Sequence, residues 1–220
     1  MKVLIIACRV LINELQAVSP PGVQLEFLEQ GLHKTPDKMR PAIQERIHQV
    51  DGGFDFIMLG YGLCGNGTLG IKAENVPVVI PKAHDCITFW LGSVANHMRE
   101  HNKAPGTYYL TKGWIEEANS PMVTFAEYKE RYGAETAEWV MQEAFKNYTR
   151  LALITTGAYD PAEYREHARA NAAFLGVDYE EIGGSLSIFE KMMRDEWDKG
   201  DFFILQPGEE ITQNMFLSLC

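Results

Sequence analysis

At residues 54–67 the chain reads FDFIMLGYGLCGNG, a short apolar run that passes into a glycine-rich loop containing a cysteine. A second apolar run, VPVVI at residues 76–80, leads directly into PKAHDC at residues 81–86. Both runs are short, rich in β-branched or aromatic residues and bounded by turn residues, which predicts two buried strands. In open α/β sheets the chemistry lies at the carboxyl ends of the strands. The stretch therefore predicts a metal or thiol site at one edge of a parallel sheet.

Outward from this stretch, apolar runs and helical periodicity alternate along the chain. Strands are predicted at residues 2–8, 23–28, 54–59, 76–80, 106–110, 150–155, 177–182 and 201–205. Helices are predicted at residues 9–18, 37–50, 87–101, 124–148 (with a break at Gly133), 161–175 and 185–197. This alternation predicts an α/β protein with mainly parallel, Rossmann-like sheets and helices on both faces.

The second half of the sequence echoes the first. VLII at residues 3–6 resembles LALI at residues 151–154, and residues 52–58 resemble residues 199–205. Each half reads as β-α-β-α-β, so we expect two similar halves that meet at a cleft. Residues 1–115 would carry the Cys/His site, and residues 116–220 would form the second half. The alternatives are that both halves pack as one domain, or that the likeness is one that all β-α-β sequences share.

The composition excludes several classes of partner. The chain has 20 Lys and Arg against 30 Asp and Glu, a formal net charge of −10, and no basic cluster. This balance argues against binding to nucleic acid or to an anionic membrane surface. The apolar runs are far shorter than the roughly 20 residues that span a bilayer. Residues 1–8 are predicted to form a strand rather than a signal peptide, so we expect a cytoplasmic protein. With nucleic acid and membranes excluded as partners, we expect it to act on a small molecule.

Three cysteines and two histidines follow the first four predicted strands. Cys8 ends the first strand, His33 follows the second, Cys64 follows the third, and His84 and Cys86 follow the fourth. Neighbouring strands lie about 4.8 Å apart, so side chains at their ends can converge. Thiolate and imidazole are the ligands that zinc prefers, and iron is the alternative. We therefore expect Cys8, Cys64 and Cys86 to bind one metal ion, with His33 or His84 as fourth ligand.

Other interpretations of these cysteines stay open. A free cysteine commonly packs like a small apolar group, and the chain has no CxxC pair that would specify a metal site. A metal-free thiol enzyme is the next alternative, in which His84 or His33 lowers the pKa of Cys64 or Cys86. The fourth cysteine, Cys220, is the last residue, and we expect no role for it.

The glycine-rich loop and nearby polar residues supply further candidates. Residues 60–70 contain five glycines, and such a loop can present N–H groups to an anion. It matches neither GxGxxG nor a P-loop. The candidate cofactor-binding residues are Gly62, Gly65, Asn66 and Gly67. The candidate catalytic residues are Glu29, Tyr61 and Asp85, although Asp85 more simply caps the helix that begins near Ile87.

The same residues carry a resemblance to a known family. The motifs are Ala7-Cys8-Arg9, Gln30-Gly31-Leu32-His33, the loop at residues 60–67 and His84-Asp85-Cys86. Together they resemble the uncharacterised bacterial and archaeal family called domain of unknown function 1638, over essentially the whole chain. The resemblance implies no established activity, but its members often occur near corrinoid-dependent methyltransferases. It implies either a metal-dependent enzyme of methyl-group or one-carbon metabolism, or a carrier of metal or cofactor to a corrinoid methyltransferase. Corrinoid would be present only through that partner.

Overall fold

Eight strands in the part of the chain that the structure describes form two sheets that are parallel except at one edge. The computed structural model describes residues 2–117, 120–194 and 197–217, so Cys220 lies outside the described residues. The strands are β1 Val3–Cys8, β2 Gln24–Leu28, β3 Phe56–Gly60, β4 Val78–Pro81, β5 Thr107–Leu110, β6 Arg150–Thr155, β7 Asp178–Gly183 and β8 Phe202–Leu205. The first sheet has the order β2-β1-β3-β4-β8, with β8 antiparallel to β4, and the second has the parallel order β5-β6-β7. The predicted α/β fold with mainly parallel sheets is confirmed.

Helices connect most of the strands. They are α1 Ile12–Val18, α2 Pro36–His48, α3 Cys86–Leu91, α4 Val94–Lys103, α5 Lys112–Glu117, α6 Pro121–Tyr132, α7 Ala134–Phe145, α8 Ala162–Leu175 and α9 Ser187–Met192. The predicted helix 87–101 is divided into α3 and α4, because Gly92 adopts a left-handed conformation with φ +80° and ends α3. The side chain of Ser93 then caps α4 by accepting a hydrogen bond from the amide of Asn96. Among the described residues, no helix is both long and apolar enough to cross a membrane.

The central strands of the first sheet are buried on both faces, as parallel strands covered by helices require. β1 and β3 lie in register, with Ala7 beside Gly60. A Cβ atom at Gly60 would lie 2.4 Å from the Cβ of Ala7, so the two strands approach closely only because residue 60 is glycine. This approach brings the end of β1, where Cys8 lies, against the start of the glycine-rich loop.

Sheet membership does not follow a division between residues 115 and 116. β5 comes from the predicted first half but pairs with β6 in the second sheet. β8 comes from the predicted second half but pairs with β4, where it covers the exposed edge of a buried strand. Both pairings are chosen by contacts between residues distant in sequence, which strand periodicity does not encode. That each half forms a domain of its own stays a prediction.

Candidate functional site

Four neighbouring parallel strands deliver the predicted cysteines and one histidine to the same edge of the first sheet. His33 lies in a 3-10 helix after β2, Cys8 ends β1, Cys64 lies in the loop after β3, and Cys86 begins α3 after β4. The strand order β2-β1-β3-β4 makes these ends consecutive. Cys64 and Cys86 line the same cleft, and Cys8 ends β1, which pairs with β3 directly before the loop that carries Cys64. The structure therefore brings together Cys8, Cys64 and Cys86.

The glycine-rich loop is held against the loop that follows β4. The amides of Leu63 and Cys64 donate to the carbonyl oxygens of Ala83 and His84, over 2.9 and 2.8 Å. A Cβ atom at Gly62 would lie only 2.5 Å from the carbonyl oxygen of Ala83. Gly62 therefore allows the backbones of the two loops to approach closely.

The backbone of Cys64 lies in the left-handed region, with φ +49°. This region is uncommon for a residue with a Cβ atom, and such outliers persist where the surrounding structure enforces them, often at functional sites. Here the enforcing contacts include the hydroxyl of Thr68, which is fully buried and donates to the carbonyl oxygen of Gly62 over 3.0 Å. The fold thus holds the Cys64 side chain at the sheet edge at some cost in backbone energy.

All three thiols are kept protonated by their surroundings. Cys8, Cys64 and Cys86 are 2%, 7% and 8% exposed. Burial raises the pKa of Cys8 to about 11 and that of Cys64 to about 12. Burial, with the nearby carboxylate of Asp85, also raises the pKa of Cys86 well above its usual value. Without an added positive charge, these thiols are poor nucleophiles at neutral pH.

The donor chemistry of this edge suits a soft metal, although the side chains do not enclose one as they stand. Within residues 2–117, 120–194 and 197–217, no group of three or more His, Cys, Asp and Glu side chains is arranged to hold a metal ion. Two buried polar atoms beside the thiols have no hydrogen-bond partner in this part of the chain, the Tyr61 hydroxyl and Nε2 of His33. Tyr61 is 2% exposed, and burial raises the pKa of its hydroxyl well above the usual value. Metal binding by the three thiols stays a prediction.

A cleft of about 370 Å³ opens over Cys64 and Cys86, between the edge of the first sheet and β5. Helix α5 packs closely on the turn after Cys8, because a Cβ atom at Gly113 would lie only 1.9 Å from the carbonyl oxygen of Val10. This close packing places the next residue, Trp114, at the cleft. The residues that line the cleft are His33, Cys64, Gly65, Asp85, Cys86, Ile87, Thr107, Tyr108, Tyr109, Trp114 and Tyr148. The aromatic residues of β5 and Tyr148 were not predicted as site residues, because only the packing of the second sheet brings them here.

Asp85 caps α3 and also lines the cleft, and its catalytic role stays a prediction. Its Oδ1 accepts a hydrogen bond from the amide of Ile87 over 3.0 Å, which caps α3, and the residue also lines the cleft. Oδ1 lies 3.8 Å from Nδ1 of His97, which in turn lies 2.9 Å from the Thr88 hydroxyl. Burial lowers the pKa of His97, while Asp85 opposes that shift. The sequence predicted one long helix at residues 87–101, which includes His97, but the break at Gly92 divides it and α4 brings His97 near Asp85.

The remaining predicted residues lie elsewhere. Glu29 is exposed, and the described residues that line the cleft do not include it. The ring of His84 lies against Phe216, with centroids 6.5 Å apart, and its carbonyl oxygen accepts the hydrogen bond from the amide of Cys64. Asn66 and Gly67 line a separate surface cleft of about 590 Å³ with Arg40. The amide of Gly67 donates to the carbonyl oxygen of Cys64. That Gly62, Gly65, Asn66 and Gly67 bind a cofactor stays a prediction.

Fold and site together define an α/β protein with mainly parallel sheets, whose strand ends carry three buried thiols beneath an aromatic cleft. The chain belongs to the family described as "Protein of unknown function (DUF1638)", which matches residues 27–193. The match includes His33, the glycine-rich loop, Cys86 and the cleft-lining residues of the second sheet. Comparisons with curated proteins and with solved structures found no match.

Proposed function

We propose that this protein is a metal-dependent enzyme that acts on a small molecule in the cleft. Cys8, Cys64 and Cys86 hold one soft metal ion, with zinc as the first choice and iron as the alternative. The observation that carries the proposal is the gathering of three buried thiols from consecutive strand ends. A metal ion would convert thiols that the protein keeps protonated into thiolates that are bound and charge-compensated.

His33 is the fourth ligand that the surroundings favour. Its Nε2 is buried without a hydrogen-bond partner among the described residues, and the residue lines the cleft. Burial lowers the pKa of His33, which favours the neutral imidazole that binds metals. Among the described residues no ligand group is formed as the side chains stand, so we expect the ligand side chains to rearrange when a metal binds.

The protein's own groups would then divide the remaining tasks. A thiolate-bound metal supplies a Lewis acid that activates a coordinated nucleophile. Asp85 and His97 form a carboxylate–imidazole pair beside the cleft and can hold or move a proton there. Trp114 and Tyr108 form an apolar wall that limits access of water to the thiols.

Two other functions fit these observations less well. A metal-free thiol enzyme needs a lowered thiol pKa, whereas burial raises the pKa of Cys8 and of Cys64. A carrier that hands metal to a partner needs an accessible site, whereas the most exposed of the three cysteines, Cys86, is 8% exposed. Methyl-group transfer in the cytoplasm, with a corrinoid methyltransferase system as partner, is the setting that the family resemblance favours.

Metal analysis of protein purified without oxygen tests the proposal. We expect close to one equivalent of zinc or iron in the unmodified protein, and X-ray absorption at the metal edge dominated by sulfur ligands. Cys64→Ser should lose the metal and keep its circular dichroism spectrum, because the core strands do not depend on that thiol. Cys220→Ser, which changes the cysteine outside the described residues, is the matched control and should keep the metal. A Cys64→Ser protein with full metal content contradicts the proposal.

A further inference from the structure

The wall of the cleft opposite the thiols is aromatic. Tyr108, Tyr109, Trp114 and Tyr148 line it, and they come from β5, from α5 and from the segment between α7 and β6. Such a concentration of rings from separate elements is built by tertiary packing rather than by one amphipathic helix. The rings therefore belong to the site and are not a solvent-exposed face of a single element.

These rings are held in fixed positions at steep angles to one another. Tyr108 and Tyr148 have centroids 5.6 Å apart and planes inclined by 79°. The Tyr108 hydroxyl accepts a hydrogen bond from Nε1 of Trp114 over 3.4 Å. The Trp114 ring in turn meets the imidazole of His33 edge-on, with centroids 6.5 Å apart. Walls preorganised in this way bind a compact ligand without first having to order their own side chains.

The charge at the cleft has one sign. Asp85 is an acidic lining residue, and none of the described lining residues is a lysine or an arginine. Arg150 is not a lining residue; it donates to the Thr107 hydroxyl over 2.8 Å and is paired with Glu100 over 3.3 Å and with Glu180. An anionic ligand would meet Asp85 and the thiols with no opposite charge among the lining residues.

We propose that the cleft recognises a small organic cation, such as an alkylated ammonium group, between the aromatic rings and the carboxylate of Asp85. This inference rests on the proposed function and names the substrate class for the same site. Aromatic rings attract cations through the negative potential of their faces, and aromatic cages are a recurrent way to bind quaternary ammonium groups. A metal dication with three thiolates would carry a net negative charge, which adds to the attraction. The volume of about 370 Å³ suits a small ligand of this kind.

Titration calorimetry with choline and with its neutral isostere 3,3-dimethylbutan-1-ol tests the charge requirement directly. We expect saturable binding of choline, and binding of the neutral alcohol that is weaker by about 3- to 30-fold or not detectable. Equal affinity for the two compounds, or tighter binding of the neutral one, would overturn the inference.

Variants place the binding in this cleft. Tyr148→Leu and Asp85→Asn should each weaken choline binding several-fold, and asparagine at residue 85 preserves the cap of α3. Tyr132→Leu is the matched control, because Tyr132 is 51% exposed on α6 and is not a lining residue. It should bind choline like the unmodified protein. Loss of binding in the control as well as in Tyr148→Leu would assign the binding to another surface.

Metal content measured on the same samples separates this inference from the proposed function. If metal-loaded protein does not bind choline, the proposed organic-cation site is wrong, and the proposal of a metal-dependent enzyme is unaffected. Protein that never binds metal but binds choline with the expected dependence on Asp85 would overturn the metal enzyme and leave the cation site standing.

Discussion

The backbone amide of Cys64 donates a hydrogen bond of 2.8 Å to the carbonyl oxygen of His84. The ladder between β3 and β4 comprises only two residue pairs, Ile57 with Val78 and Met58 with Val79. Hydrogen bonds between the two following loops therefore continue the connection beyond the end of the strands. Because Cys86 comes two residues after His84, this contact fixes the position of one thiol relative to the other.

Gly62→Ala should separate these two loops. The added Cβ atom would lie 2.5 Å from the carbonyl oxygen of Ala83, and backbone atoms on both sides cannot yield cheaply. We expect a loss of about 1–3 kcal/mol in the free energy of unfolding, measured by urea denaturation, together with weaker metal binding. Gly183→Ala is the control, because a Cβ atom there meets nothing within 4 Å and its φ angle is not in the left-handed region. A Gly62→Ala protein as stable as the control would show that the loops do not need this close approach.

The positions of the strands could be predicted from the sequence to within about two residues, because their apolar runs are short and bounded by turn residues. β6 was predicted at residues 150–155 and is observed at Arg150–Thr155. The placement of the cysteines at one edge of the sheet could also be predicted, because it requires only that the strands they follow are parallel neighbours. The sheet to which a strand belongs could not be predicted: β8 and β5 each pair with strands far away in sequence.

The aromatic wall of the cleft could not be predicted either, because it is also formed by packing between residues far apart in sequence. Tyr108 and Tyr109 are adjacent on β5, and Tyr148 lies about 40 residues further on. Nothing in their local patterns says that they face the thiols of the first sheet. The position of His97 near Asp85 was not predicted, because one uninterrupted helix was expected at residues 87–101. The pair Gly92-Ser93 could have indicated the break, since Gly92 ends α3 in a left-handed conformation and Ser93 caps α4.

The metal-free protein should lose stability as the pH rises above 9. Burial raises the pKa of Cys8 from 9.0 to about 11, so the folded state holds this proton over a range where the unfolded state has released it. Stability from this group is therefore fully present below pH 9 and is lost as the pH rises towards 11, by about 2–3 kcal/mol. Urea denaturation at pH 8 and pH 10.5 measures the loss. Cys8→Ala should show a smaller decrease over the same interval, and an identical decrease would contradict this role of Cys8.

Metal affinity should rise steeply with pH. Binding must displace the protons of Cys8, Cys64 and Cys86, since thiolates are the ligands and burial keeps these thiols protonated at neutral pH. With three protons released, the apparent affinity should increase by up to about 1000-fold per pH unit between pH 6 and pH 8. Competition with a chromophoric chelator of known pH dependence gives the slope. A slope near zero would mean that the metal, if bound, is not held by these thiols.

Glu14 offers a separate test of how the two sheets are joined. Its side chain, fully buried on α1, accepts a hydrogen bond of 3.0 Å from the hydroxyl of Thr156, the residue that follows β6. Burial raises the pKa of this carboxyl, so its stabilising contribution is complete at low pH and declines as the pH rises through the folded-state pKa. Glu14→Gln keeps the shape and an acceptor for Thr156 but cannot ionise.

We therefore expect Glu14→Gln to match the unmodified protein in stability at pH 5 and to exceed it at pH 8, as measured by urea denaturation. Glu14→Ala leaves the Thr156 hydroxyl without this partner and opens a cavity, so it should lose about 1–3 kcal/mol at both pH values. Thr156→Val should remove the hydrogen bond while keeping the volume, and it should lower stability most at high pH, where it leaves an ionised carboxylate buried with one donor fewer. If Glu14→Gln is less stable than the unmodified protein at pH 8, the negative charge itself contributes to joining the sheets. In that case the attraction of the ionised carboxylate to Lys112 outweighs the effect of burial.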